Sequence, residues 1–427
     1  MEEKDTSVIL PENERMERIA LDFNRNREEV KNYIARYFDV VTDSMLEVWE
    51  RSKALEYAII NGEKRYFHNA APNLFRIDSL CRSVKEAKEP FVLNGSEKVN
   101  ASHIPAVINA LSGQDGVYQA CPVRMKVTYR ITVPANTVPE GEIIKCWLPY
   151  PREGNRRQSN IEFISSSVSD YIIAPENTLH RSIYMEERAK KDSAVLFSVS
   201  FAYTSVAEWF NLSENDILPY NENSDLYRTF TSERNTHIVF TDSIKELSRR
   251  IVGDEKNPLR KVRKIFEYID SHYPWASARE YSTVPNIPQY VIENKHGDCG
   301  MVSLLFITLA RYNGIPAKWQ SGFMVHPGAQ NLHDWAEVYF EGIGWVPVDQ
   351  SFGCPSFAED DKTRLFFSNG IDAYRLIVND DFSSPLYPSK KYPRSETVDF
   401  QRGEVEWSGG NLYFDKWWWD FQVEYIN

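Results

Sequence analysis

The sequence has no C-x-x-C pair, and its five cysteines, Cys81, Cys121, Cys146, Cys299 and Cys354, are widely spaced. An odd count at such spacing in 427 residues argues against a disulfide framework, and a zinc ribbon or finger has no ligand set. At least one thiol is therefore expected to be free. Positive charge is in short supply: 49 Lys and Arg stand against 61 Asp and Glu, a formal net charge of −12. Phosphate binding needs clustered cations, so neither nucleic acid nor an anionic membrane is expected as a general partner. No stretch reaches the roughly 18–20 apolar residues of a membrane span. The start, Met1-Glu2-Glu3-Lys4-Asp5-Thr6, lacks the basic-then-apolar pattern of a signal peptide. The chain as given reads as soluble; its compartment is undefined, and export stays open if a leader has been removed. Internal repeats, low-complexity runs and the D-x-[DN]-x-[DN]-G calcium loop are absent, and no cofactor or metal is expected.

What is present suits packed interiors. Hydrophobic residues make up 42% and aromatics 13%, with 11 Trp, 23 Tyr and 23 Phe, while 26% charged residues argue against wholesale disorder. At this length two or three domains are expected.

The hydrophobic period divides the chain. Residues 1–118 read as an N-terminal helical region: Val30, Ile34, Tyr37 and Phe38 repeat at helical spacing, and Ser44 with Glu47 suggests a capping box. Joints are expected near Asn61-Gly62, Ala71-Pro72 and Asn94-Gly95. Ile77, Leu80, Cys81 and Val84 form a stripe that makes Cys81 a buried apolar residue. Over 119–206 the period falls to two, through Val123, Met125, Val127, Tyr129, Ile131 and Val133 and again from Val195 to Tyr203. This is the pattern of an antiparallel β-sandwich. A polar stretch over 211–235 reads as a connection, and helices return over 243–252 and 258–272, where Pro258 suits a first turn.

The chemistry concentrates in the third region, 236–427. Cys299 begins a run to Ala310 that is apolar nearly all round, the mark of an interior helix. Asp298 is a good N-cap, and Gly314 with Pro316 ends the run. A cysteine in such a first turn meets unpaired amides and the positive end of the helix dipole, which favour a thiolate and an oxyanion. An Asp beside the thiol works against this unless its carboxylate turns to the amides. A strand over 317–325 follows, with a turn at His326-Pro327-Gly328-Ala329. His333 then opens a strand whose hairpin turns at Glu341-Gly342 and returns through Trp345 to Asp349, Pro347 marking an edge or irregularity. Facing side chains on such strands lie about 4.5–5.5 Å apart at Cβ, so Asp349 can fix the tautomer of His333.

Each residue alone has an ordinary explanation. A lone Cys on an apolar helix is usually structural, most histidines are surface or core residues, and an Asp often ends a strand. His296 and His326 are read as structural. In order and in context, Cys299, His333 and Asp349 supply a nucleophile, its base and the group that orients the base.

At these residues the sequence resembles the transglutaminase-like superfamily. The motifs are Gly297-Asp298-Cys299 at a helix head, Gly314-Ile315-Pro316 at its end, His333-Asp334-Trp335-Ala336-Glu337-Val338 on one strand and Gly344-Trp345-Val346-Pro347-Val348-Asp349 on the next. The resemblance implies an α+β chain with a papain-like core, here preceded by the β-sandwich and the helical region, and Cys299, His333 and Asp349 as a catalytic triad. Gly300, where animal cross-linking enzymes usually carry Trp, resembles bacterial relatives and speaks against protein cross-linking. The second oxyanion donor is left among Trp275, Tyr281 and a backbone amide upstream.

The expected function is a cysteine-dependent acyl enzyme, most simply a peptidase or amidase acting on peptides or proteins through a thioester. A non-catalytic binding module on the same core and an amine acyltransferase are the alternatives. The aromatic tail from Asn411 to Phe421, with Trp417, Trp418 and Trp419, is expected to pack on the core, with a carbohydrate contact as the competing reading.

Overall fold

A computed structural model describes residues 7–90 and 92–426. The chain is α+β with antiparallel sheets, and it divides into two compact units that interleave along the sequence. The first comprises Met1–Leu10, Asn94–Tyr220 and Ala317–Asn427, the second Pro11–Leu93 and Asn221–Pro316. Among the described residues no helix is long and apolar enough to cross a membrane.

In the first unit, residues of period two form strands buried on one face. Gln119–Val133 pairs along its length with Val195–Trp209, and Trp418–Ile426 adds to its other side. A second sheet runs in the order Gly410–Leu412, Glu404–Trp407, Ile143–Pro149, Ser182–Arg188, Tyr171–Ile173. Met125, Val127, Tyr129 and Ile131 share one core with Ile144, Cys146, Leu148 and Ile183. The sandwich thus draws strands from beyond residue 369 as well as from 119–206.

The aromatic tail is one of these strands. Trp419 and Phe421 stack on Tyr129 with centroids 6.0 Å away, Trp417 is buried, and Trp418 is 53% exposed. One-sided burial accounts for Trp419 and Phe421, whereas Trp418 lies on the outer face of the strand.

A third sheet of this unit runs Gly344–Val348, Ala329–Phe340, Ala317–His326, Arg375–Asn379, all antiparallel. Phe323, Val325, Leu376 and Val378 join the sandwich core. At Gly322 the sheet closes tightly: a Cβ there would lie 2.0 Å from the Leu376 carbonyl oxygen.

The second unit is helical. Phe23, Val30, Ile34, Leu46, Trp49, Tyr66, Leu74, Phe75 and Cys81 form one buried core. Two local expectations are corrected here. Asn61 and Gly62, both at positive φ, turn a β-hairpin of Tyr57–Ile60 and Glu63–Tyr66 rather than join helices, as Asn-Gly commonly does. The helix Asp43–Arg51 is capped by Thr42, whose hydroxyl accepts from Met45 N at 3.3 Å, two residues ahead of the expected Ser44. Helix Cys299–Tyr312 is buried almost throughout and packs against Asp242–Ile251, Pro258–His272 and Ile287–Asn294.

Candidate active site

Cys299 is the first residue of its helix, partly exposed and free of any disulfide. Asp298 is the N-cap: its Oδ1 accepts from Met301 N at 3.2 Å and from the Tyr281 hydroxyl at 2.6 Å. The carboxylate is therefore turned to the helix amides, as a thiolate at this position requires. Burial pushes the Asp298 pKa up to about 6, against the pull of these two hydrogen bonds. The Tyr281 hydroxyl also accepts from Gly300 N at 3.1 Å. Trp275 is held beside Gly297 by a parallel bridge, with Ala276 N donating to Gly297 O at 3.0 Å. Its indole is 44% exposed, under the guanidinium of Arg76.

In the first unit, His333 Nε2 lies 2.8 Å from Asp349 Oδ2, both groups buried. His333 does not open its strand; Ala329 does, immediately after the turn, so His333 stands mid-strand opposite Gly322. Val348 pairs with Ala336, and Asp349 follows just past the end of that strand, where its amide donates to Phe367 O. The strand carrying Pro347 is a sheet edge, as the missing donor demands. Asp349 engages Nε2 of His333, so Nδ1 is the nitrogen that Asp349 leaves for other chemistry.

Asp349 is fully committed. Its Oδ1 accepts from Ser351 N at 3.2 Å and Phe352 N at 3.0 Å, and Arg375 Nη1 lies 2.8 Å from Oδ2. Burial would raise its pKa, but His333 and Arg375 outweigh it and hold the carboxyl below its usual range. Burial lowers the His333 pKa, opposed by Asp349 and reinforced by Arg375, a balance that favours the uncharged ring.

Arg375 is the residue that sequence reasoning missed. Its Nη2 also pairs with Asp372 Oδ2 at 2.5 Å, and Asp372 Oδ1 lies 3.1 Å from His326 Nε2. Its guanidinium covers Phe352, whose ring meets His333 edge-on. No motif marks Arg375; an arginine in the apolar strand Arg375–Asn379 was the only signal. Further along the His333 face, Trp335 Nε1 donates to Gln320 Oε1 at 2.9 Å, and Lys318 Nζ lies 3.2 Å from Glu337 Oε2.

The structure thus brings His333 and Asp349 together in the first unit and sets Cys299 at a helix head in the second. His296 is buried against Tyr290, without a hydrogen-bond partner among the described residues, and burial lowers its pKa to about 4. His326 serves Asp372. Among the described residues, no cluster of His, Cys, Asp and Glu could hold a metal ion.

One comparison with known proteins falls on the segment that holds Cys299, His333 and Asp349. Residues 245–350 match the model of the transglutaminase-like superfamily. The uncharacterized protein YebA of Bacillus subtilis is 27% identical over 167 residues, 34% of this chain and 22% of YebA. The chain therefore spans about a fifth of the length of that relative. An uncharacterized protein of Haemophilus influenzae is 22% identical over 342 residues, 70% of this chain and 89% of that one. A candidate cysteine protease of Cytophaga hutchinsonii has a TM-score of 0.46 at 14% identity, covering 73% of this chain and 93% of its own. The periplasmic domain of TgpA from Pseudomonas aeruginosa scores 0.27 at 10% identity, covering 55% and 93%.

Proposed function

Starting from a chain that carries the transglutaminase-like core over residues 245–350, we propose that it is a cysteine-dependent acyl enzyme acting on amide bonds of peptides or proteins. Cys299 is the nucleophile, His333 the base and Asp349 the group that orients it. The thiolate attacks the carbonyl carbon, and the tetrahedral oxyanion collapses as the C–N bond breaks. The leaving amine takes the proton that His333 drew from the thiol, and a thioester remains. Water then attacks the thioester with His333 again taking a proton, releasing the acid and restoring the thiol. Hydrolysis makes the protein a peptidase or amidase; an amine in place of water would make it an acyltransferase.

The observation that carries this reading is the buried 2.8 Å bond between His333 Nε2 and Asp349 Oδ2, which fixes one tautomer of a neutral imidazole. The Asp298 cap supports it by directing the neighbouring carboxylate to amides. The Tyr281 hydroxyl has one proton, and Asp298 accepts it. That favours Trp275, exposed beside Gly297, as the side-chain donor to the oxyanion.

Incubation with an N-acylated peptide p-nitrophenyl ester, an acid quench and peptide mapping test the reading. The expected result is one acyl adduct, on Cys299, lost in Cys299→Ala and cleared by water. Transfer to an added fluorescent amine would assign the acyltransferase instead. An adduct spread equally over Cys121 and Cys354, or none, would leave a non-catalytic module.

A further inference from the structure

The geometry points to Tyr281 as a positioning residue for the nucleophile: its hydroxyl ties the residue before Cys299 to the residue after it. The inference rests on Cys299 acting as the nucleophile. Tyr281 opens a short 3-10 turn, Tyr281–Thr283, and its side chain is 7% exposed. Its hydroxyl donates to Asp298 Oδ1 at 2.6 Å and accepts from Gly300 N at 3.1 Å. The same Oδ1 accepts from Met301 N at 3.2 Å. A phenol suits this place because one oxygen both donates to a carboxylate and accepts from an amide.

The bonds close a ring through the backbone of Cys299. Rotation of the peptide unit after Cys299 carries Gly300 N away from the phenol oxygen, so the direction of the Cys299 Cα–Cβ bond, from which the Sγ projects, is tied to the position of that oxygen. A displacement of about 1 Å at a reacting atom is enough to cost about 10²-fold in rate. The bonds also keep the negative charge of Asp298 in the cap, where the amides and the phenol proton face it, and away from the sulfur.

The turn that carries Tyr281 is itself anchored by the helix Glu12–Asp22, far away in sequence. Asp22 Oδ2 accepts from Glu280 N at 2.9 Å, and Arg18 Nη1 donates to Ser282 Oγ at 3.1 Å. Arg15 Nη1 donates to Thr283 O at 3.3 Å. Arg18 and Asp22 are both buried. The N-terminal helix therefore acts on the nucleophile through Tyr281.

The test compares Tyr281→Phe, Asp298→Asn and Asp298→Ala with the unaltered chain. Tyr281→Phe is expected to slow acylation of Cys299 at least tenfold with KM within twofold and an unchanged unfolding midpoint. Asp298→Asn keeps an oxygen for both donors and should stay within about threefold of the unaltered rate, whereas Asp298→Ala should fall as far as Tyr281→Phe. The double variant Tyr281→Phe with Asp298→Ala should be no worse than either of those single ones, because the two side chains act as a unit. Amide exchange over residues 298–301 reads the same hold without catalysis and should quicken at least tenfold in Tyr281→Phe. Unchanged exchange, or acylation within twofold of the unaltered chain, overturns the proposal. Failure of the unaltered chain to acylate Cys299 would instead count against the nucleophile, with amide exchange still deciding whether Tyr281 holds the turn.

Discussion

His333 and Arg375 converge on a single oxygen: the Nε2 of one and the Nη1 of the other each lie 2.8 Å from Asp349 Oδ2. A carboxylate shared with a permanent cation holds the imidazole in place without drawing a full positive charge onto it. That suits a base, which must start neutral.

Replacing Arg375 by Met should expose this balance. Asp349 and Asp372 would both lose their common cation inside the fold, at a cost of about 3–5 kcal/mol for a broken buried pair. Chemical unfolding should show the loss. In whatever folds, the acidic limb of kcat/KM should move to higher pH, because Arg375 now lowers the His333 pKa. An unmoved limb would show that Arg375 only supports the fold.

Gly322 is expected to tolerate no side chain. An added Cβ would sit 2.0 Å from the Leu376 carbonyl, far inside contact distance, and the obstacle is backbone rather than a movable side chain. Gly322→Ala should cost about 1–3 kcal/mol or more by overpacking, and unfolding midpoints measure it. Stability equal to the unaltered chain would contradict the close approach of these strands.

Acid should destabilise the fold through His296 and His237. Burial lowers both pKa values to about 4, with Arg234 a lesser cause for His237. Between pH 6.5 and 4 the unfolded chain binds more protons at these sites, so their contribution is full above 6.5 and lost as pH falls toward 4. The limit is about 3 kcal/mol for each. Asp298, raised to about 6, acts with the opposite sign and offsets part of this below pH 6. Urea midpoints measured across this range should fall with pH, and less steeply in His296→Gln. An identical slope would remove His296 from the account.

Much of this was legible in the sequence because it is local. The apolar run after Cys299, the Asp298 cap and the alternation from Val123 to Val133 each express one element's period. Pairings between distant segments were not legible. Trp418–Ile426 lies in register with residues 124–132, and nothing in either segment names the other. Arg375 and Asp372 complete the surroundings of Asp349 from a stretch without a motif, and Asp22 reaches Glu280 across 258 positions. Asn61-Gly62 was legible but read as a helix joint, because the helical period on either side outweighed a four-residue hairpin arm.

The rate of iodoacetamide labelling at Cys299 as a function of pH tests the central claim most directly. Cys299 should react well below pH 8 and faster than Cys121, whose thiol burial pushes up. In His333→Asn the reaction should retreat toward the ordinary thiol range near about pH 8.5. A Cys299 that labels no faster than Cys121 or Cys354, with a profile indifferent to His333, would contradict the assignment of a nucleophile and its base.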